Sequence, residues 1–159
     1  VGRLAAPDCA LFLWVPGPNL YEARTIFDSW GFAYKTIGFS WCKVTKDGSK
    51  PRFGMGYYSR SNVELCLLCT RGKPKRRDKG VPQVIWEEWD ADVDDVIAPF
   101  RGHSVKPDEV AERIERLVEG PYCELFARQE RPGWTCLGRE IDGCDIRDIF
   151  AEAWLGRVA

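Results

Sequence analysis

The chain is poor in histidine and in long apolar runs, and both shortages exclude classes of function. Its 159 residues include a single histidine, and no apolar run approaches the length of about eighteen residues that a membrane span needs. No signal peptide is recognised at its start either. We therefore expect no membrane partner, and a metal site built from several histidines is excluded.

The seven cysteines form no regular framework, which argues against a secreted disulfide scaffold and predicts a reducing cytoplasm. Cys66 and Cys69 form a "CLLC" pair that is open to a zinc or redox interpretation. They lie in the apolar stretch "VELCLLCT", and no second ligand pair completes a tetrahedral site. We predict that both belong to the core and that the chain holds no metal.

The net charge of −1 hides a strong separation of sign along the chain. The stretch "RGKPKRRDKG" (71–80) carries six cations and one acid, and "EEWDADVDD" (87–95) carries six acids and no cation. A basic stretch interrupted by glycine and proline is a candidate contact for a phosphate backbone. A solvated loop is an equally good interpretation of the same composition.

The hydrophobic pattern predicts one α/β domain over residues 1–159. Strands are predicted at 9–15, 32–44 and 63–71, with further strands at "DVIAPF" and "YCELFAR", and a last helix in 145–159. Asn19 and Glu22 have the spacing of a capping box for a first helix, which Gly31 would end. Because strands and helices alternate, we expect a mostly parallel sheet with helices on both faces.

Lys106 is predicted to stand just before a helix. Pro107 suits the first helical position, and Asp108 and Glu109 favour the positive end of the helix dipole. A lysine beside the free N–H groups of a helix start can hold a carboxylate or a phosphate. The alternative is an ordinary solvent-exposed lysine.

Two long stretches give the chain a family resemblance. They are "GMGYYSRSNVELCLLCTRGKP" and "IAPFRGHSVKPDEVAERIERLVEGPYCELFARQERPGWTCLGREIDG". Both are similar to the S-adenosylmethionine-dependent adenine-N(6) methyltransferases, a family that includes messenger-RNA enzymes and phage or bacterial DNA enzymes. The resemblance covers nearly the whole chain and implies a Rossmann-like methyltransferase fold that binds S-adenosyl-L-methionine.

The resemblance also implies which residues bind the cofactor. Lys106 would hold the methionine carboxylate, and His103 and Ser104 belong to the same loop, where His103 is interpreted as a hydrogen-bonding residue that shapes the loop. Arg128 would reach the ribose. Arg139 and Glu140, in "LGREIDG", would contact ribose and adenine, although Arg139 stands where the family usually has asparagine.

The substrate side is implied by the loop "GYYSRSNVE" and the basic stretch that follows it. Tyr57 and Tyr58 could stack on an extruded adenine, with ordinary loop packing as the alternative. Arg60 and Glu64 belong to the same part of the chain. The predicted backbone contacts are Lys73, Lys75, Arg76 and Arg77.

The family signature Asp-Pro-Pro-Trp, which holds the adenine amine, is absent from the printed sequence. Either a preceding segment carries it, or the chain is a shortened form, or the protein is an inactive partner subunit that binds nucleic acid. The start at valine favours the first two explanations. We expect an adenine methyltransferase that acts on nucleic acid, with DNA favoured over RNA, and a homodimer or heterodimer as an open alternative.

Overall fold

The computed structural model describes residues 1–45, 49–51, 54, 56–88, 106–143 and 145–154. The chain divides into two compact units, an amino-terminal unit of residues 2–118 and a carboxy-terminal unit of residues 119–159 together with Val1. The elements in chain order are β1 (Cys9–Val15), a 3-10 turn (Gly17–Asn19), α1 (Ala23–Ser29), β2 (Ala33–Val44), β3 (Val63–Arg71), β4 (Val84–Glu88), α2 (Asp108–Leu117), β5 (Tyr122–Leu125), β6 (Trp134–Leu137), α3 (Arg139–Asp142) and α4 (Ile146–Trp154).

The amino-terminal unit is built on a four-stranded sheet in the order β1-β3-β2-β4. Strand β3 pairs antiparallel with both β1 and β2, and only the β2–β4 pairing is parallel. The prediction of a mostly parallel sheet is therefore wrong. The apolar run of β3 reflects burial on both faces, and that of β1 reflects partial burial along an edge strand. Burial of this kind does not require parallel neighbours.

Each face of this sheet has its own set of buried side chains. Val15, Leu67 and Cys69 form a cluster with Ala23 and Phe27 of α1. Successive side chains of a strand point to opposite faces, so Cys66 lies on the other face, where it is fully buried.

The first helix begins later than its capping pattern predicted. Asn19 ends the 3-10 turn, and Glu22 occupies the N-cap position of α1 without a side-chain cap hydrogen bond. Pro16 and Pro18 favour the tight turn here, so the predicted capping box does not form. Gly31 does stop the helix, since its φ of 78° is a left-handed conformation that suits glycine.

The second helix begins one residue later than predicted, with Pro107 at the N-cap and not at the first helical position. Asp108 and Glu109 lie in the first turn of α2. Val110, Ala111 and Ile114 are buried, while Arg113 is only 8% exposed. The Arg113 guanidinium donates to the carbonyl oxygens of Pro82 and Val84, at 2.7 and 2.8 Å, and so ties α2 to the start of β4.

The carboxy-terminal unit contains a two-stranded parallel sheet of β5 and β6. Tyr122 and Trp134 are paired across it and their rings stack at 4.9 Å. Helix α4 falls within the segment 145–159, where a last helix was expected. None of the helices in the described part of the chain has the length and apolar character to span a membrane.

Candidate functional site

Lys106 is the centre of a charged cluster in the amino-terminal unit. Its ammonium forms an ion pair with Oε2 of Glu64, and Oε1 of the same carboxylate lies 2.8 Å from Nζ of Lys43. All three side chains are between 21% and 29% exposed. Among these three side chains, two cations share one carboxylate, an arrangement that suits binding of an anionic group.

Two tryptophans lie against the cations of this cluster. The Lys106 ammonium is 5.0 Å from the ring centre of Trp14 and 5.4 Å from that of Trp41, and the Lys43 ammonium is 4.6 Å from Trp41. The indole rings meet edge to face at 6.3 Å. Cation–π contacts at these distances hold an ammonium in place while leaving its N–H groups able to donate.

The strand register explains why these side chains meet. Trp14 is paired with Cys66 across β1 and β3, and Trp41 is paired with Glu64 across β2 and β3. Paired residues project to the same face of a sheet, and so do residues two apart on one strand. Trp14, Trp41, Lys43 and Glu64 therefore share the face on which Lys106 lies.

The two lysines keep Glu64 ionised. Burial alone raises the pKa of its carboxyl, but hydrogen bonds and charge from Lys106 and Lys43 outweigh burial and hold the pKa below its ordinary value. For the neighbouring Cys66, burial outweighs the charge of Lys106 and raises the pKa of the thiol. Cys66 therefore remains a neutral core side chain.

The prediction that Cys66 and Cys69 belong to the core is confirmed, since both are fully buried in β3. Residues three apart on a strand point to opposite faces, so this pair cannot bind one metal ion together. No group of three or more candidate metal ligands occurs among the described residues.

The carboxy-terminal unit brings together two of the residues that the resemblance assigned to the cofactor. Nε of Arg128 lies 3.6 Å from Oε1 of Glu140, and both side chains are exposed. Glycine is required at position 138 because an added Cβ would lie 2.2 Å from the Ala127 carbonyl oxygen. The chain segments that carry Arg128 and Glu140 therefore pass close to each other at Ala127 and Gly138.

Arg139 begins α3 and is exposed beside this pair. An open depression of about 430 Å³ is present in the same unit. Its lining residues are Glu130, Arg131, Pro132, Trp134, Cys136 and Ile141.

The tyrosine loop presents two aromatic rings to solvent. Tyr57 and Tyr58 are 95% and 96% exposed, and their rings contact each other edge to face at 4.9 Å. Two hydrogen bonds join the two sides of the loop. The Gly54 N–H donates to the Ser61 carbonyl oxygen at 2.6 Å, and Nε of Arg60 donates to the Gly54 carbonyl oxygen at 2.9 Å. Arg60 thus has a structural contact within the loop.

The basic stretch is ordered along the end of α2. The Arg77 N–H donates to the Leu117 carbonyl at 2.9 Å, its guanidinium lies 3.5 Å from the Glu115 carbonyl, and Arg76 forms a β-bridge with Val118. A cation at a helix carboxyl end is favourable for the helix dipole. Arg77 therefore stabilises the fold in addition to any role in binding.

The cations that follow Arg71 in the stretch are open to solvent. Lys73, Lys75, Arg76, Arg77 and Lys79 are all exposed. The backbone N–H of Lys73 donates to Oδ1 of Asp8 at 2.6 Å, which fixes the start of the stretch. At its far end, Asp78 pairs with Arg116 at 2.7 Å. The stretch is held near both ends, and its five cationic residues from Lys73 to Lys79 are exposed to solvent.

A family model described as MT-A70 matches residues 1–140. The chain belongs to the MT-A70 family. Among its relatives, the Type II methyltransferase M.MunI of Mycoplasma sp is 33% identical over 89% of this chain and 54% of its own length. The N(6)-adenosine-methyltransferase catalytic subunit METTL3 of Homo sapiens is 32% identical over 89% of this chain and 23% of its own length. The chain thus spans about half or less of the length of these relatives.

Membership of the MT-A70 family confirms the resemblance on which the site predictions rest. The comparisons give no support to the alternative of an inactive partner, because these relatives are named as methyltransferases. His103 and Ser104 lie outside the described residues. The same is true of "DVIAPF" and of the acidic residues from Asp90 to Asp95.

Sequence reasoning did not identify every residue of this cluster. Lys106 was predicted as an anion-binding residue, and Glu64 was assigned to the substrate side. Trp14, Trp41 and Lys43 were not identified. A signal was present for two of them, because Trp41 and Lys43 are two apart on one predicted strand and must share a face.

Proposed function

We propose that this MT-A70 chain carries the cofactor site of an S-adenosylmethionine-dependent adenine-N(6) methyltransferase. The observation that supports this function best is the cluster of Lys43, Glu64 and Lys106 against two indole rings. Family membership and the two lysines of the cluster both support binding of a cofactor that carries a carboxylate. The proposal extends to a Rossmann-like methyltransferase fold for the whole protein.

The donor set of the cluster fits the methionine end of S-adenosylmethionine. The two lysine ammonium groups favour a carboxylate, and Lys106 stands just before the start of α2, where backbone N–H groups add a favourable field. When bound, this cofactor supplies an activated methyl group. The role proposed for Lys106 is to hold the carboxylate and orient the amino-acid end of the cofactor.

In the carboxy-terminal unit, the Arg128–Glu140 pair is proposed to bind hydroxyl groups of the cofactor ribose. Glu140 can accept from a hydroxyl and Arg128 can donate to one, and the ion pair between them orients both side chains. Arg139 is proposed as an adenosine contact. Each unit carries one part of the proposal, and each part can be tested alone.

Nucleic acid is proposed as the substrate because aromatic and basic side chains are exposed on ordered loops. The rings of Tyr57 and Tyr58 can stack on an unpaired base, and Lys73, Lys75 and Arg76 can neutralise phosphates. We propose DNA as the substrate, with RNA as the alternative; M.MunI and METTL3 match the chain about equally, at 33% and 32% identity. Methylation of matched DNA and RNA oligonucleotides would decide between them.

Calorimetric titration of the purified protein with S-adenosylhomocysteine tests the cofactor site. Lys106→Met should lower the affinity at least about tenfold, in line with losing one partner of a charge-assisted hydrogen bond. Lys35→Met is the matched control, because Lys35 is exposed on β2, the strand that carries Lys43. Equal affinities of the Lys106→Met variant and the unaltered protein would contradict the proposal.

A second ligand shows whether the lost contact is the one to the carboxylate. Methylthioadenosine lacks the amino-acid end, so its affinity should be the same for Lys106→Met and the unaltered protein. A parallel loss for both ligands would mean that the substitution damages the fold and does not report on carboxylate binding.

A further inference from the structure

We propose that Glu64 is the internal counter-ion of Lys106 until a ligand carboxylate replaces it, and that Lys43 then retains Glu64. Lys43 is in this scheme a positioning residue for cofactor entry. The inference rests on the proposed function, because it concerns the same anion-binding lysine. It adds a residue to that site and predicts that a carboxylate within the site opposes binding.

The first support is the way in which the carboxylate is shared. Glu64 uses Oε2 for Lys106 and Oε1 for Lys43, so each lysine has its own oxygen atom. Losing the contact with Lys106 leaves the contact with Lys43 in place. Glu64 can therefore release Lys106 without becoming an unpaired, largely buried charge, which would be costly.

The second support is that the indole rings hold Lys106 independently of Glu64. The ammonium lies within 5.4 Å of both Trp14 and Trp41. An ammonium has three N–H donors and these contacts use its positive charge without consuming a donor. Lys106 can therefore stay in position while its carboxylate partner is exchanged.

The third support is the charge balance. Counting only Lys43, Glu64 and Lys106, two cations share one carboxylate before exchange, and the ligand adds a second carboxylate after it. Each cation then has one carboxylate, with Lys43 paired to Glu64 and Lys106 paired to the ligand. Without Lys43, two carboxylates would compete for one ammonium, and like charges at such distances repel strongly.

A simpler role for Glu64 predicts the opposite sign. If Glu64 only held Lys106 in place, its removal would release the lysine and weaken ligand binding. If Glu64 competes for Lys106, its removal should strengthen binding of a carboxylate ligand. The direction of the change in affinity therefore separates the two roles.

The experiment is a double-mutant cycle on Glu64 and Lys43, with S-adenosylhomocysteine titrated by calorimetry. Glu64→Gln should raise the affinity for S-adenosylhomocysteine at least about fivefold, and Lys43→Met should lower it by a similar factor. A factor of about five is at the lower end of typical coupling between two binding events. In the double variant, Lys43→Met should change the affinity for S-adenosylhomocysteine by less than about twofold. Glu64→Gln has already removed the carboxylate that Lys43 holds.

Three controls define the specificity of these effects. Lys43→Arg keeps the cation and should restore the affinity lost in Lys43→Met. Glu22→Gln and Lys35→Met change exposed charges elsewhere in the unit and should have no effect on affinity. Methylthioadenosine, which has no carboxylate, should bind all of these variants equally.

A weaker or unchanged affinity in Glu64→Gln would overturn the inference, and so would an undiminished effect of Lys43→Met in the double variant. If Glu64→Gln does not fold, the comparison of Lys43→Met with Lys43→Arg decides, and equal affinities would overturn the inference. Failure here together with a clear loss in Lys106→Met would leave the proposed cofactor site standing.

Discussion

Trp41 on β2 and Glu64 on β3 are paired directly across the antiparallel ladder, which puts an indole ring and a carboxylate side by side. The two lysines that neutralise Glu64 both lie over that ring, at 4.6 Å for Lys43 and 5.4 Å for Lys106. One buried aromatic side chain therefore supports both cations. The site is part of the sheet face, so binding and stability are linked at Trp41.

The two tryptophans should differ in how they affect binding and stability. Trp41 is 1% exposed, so Trp41→Leu should cost about 2 kcal/mol or more of the free energy of unfolding. Trp14 is only partly buried, so Trp14→Leu should cost less. Both should weaken binding of S-adenosylhomocysteine, because each removes a cation–π contact with Lys106.

Urea unfolding gives the stabilities and calorimetry gives the affinities. A Trp14→Phe variant keeps an aromatic face and should retain most of the affinity. If Trp14→Leu and Trp14→Phe bind equally well, the ring is not needed to hold Lys106.

Much of the amino-terminal unit was predictable because its strands carry strong local signals. The strands β1 and β3 have the bounds that their apolar runs predicted, and β2 begins one residue later than predicted. Strand direction was not predictable in this way. A run such as that of β3 is apolar because neighbours cover both faces, whether those neighbours are parallel or antiparallel.

The site was predictable only in part, for a related reason. Lys106 follows from local rules, because a lysine before Pro107 and two acids marks a helix start. The Glu64–Lys43 contact depends on the register of two strands, which is a long-range property. Register is set by packing and by loop geometry, and neither can be read from one strand alone.

Arg77 and Lys75 lie two residues apart in the basic stretch and should respond differently to substitution. Arg77→Ala should cost about 0.5–1 kcal/mol of stability, because its guanidinium interacts with the carboxyl end of α2. Lys75→Ala should leave stability unchanged and should lower the salt dependence of nucleic-acid binding by about one phosphate contact. Fluorescence anisotropy with a labelled oligonucleotide at several salt concentrations measures the slope.

An unchanged salt slope in Lys75→Ala would show that the exposed stretch is a solvated loop. A loss of stability in Lys75→Ala equal to that in Arg77→Ala would mean that the whole stretch serves the fold. Hydrogen exchange at Leu117 and Val118 would then separate a local effect on α2 from a global one.

The two exposed tyrosines should matter for substrate and not for stability. Tyr57→Ala and Tyr58→Ala should leave the unfolding midpoint unchanged, because both rings are almost fully exposed. Each should weaken binding of an oligonucleotide with an unpaired adenine by about 1–3 kcal/mol if its ring stacks on the base. The Phe variants are the matched controls, since they keep the stacking face and should bind normally.

Glu64 gives the protein a specific dependence of stability on pH. Its folded-state pKa lies below the ordinary value of 4.5, because two lysines outweigh the effect of burial. The ionised pair therefore contributes stability above about pH 4.5, and that contribution is lost as the pH falls through the lower folded-state pKa. The unaltered protein should be more stable than Glu64→Gln at pH 6, and the difference should shrink as the solution is acidified. Urea unfolding at several pH values measures both curves. A difference that stays constant down to pH 3 would mean that Glu64 stabilises the unit by its packing and not by its charge.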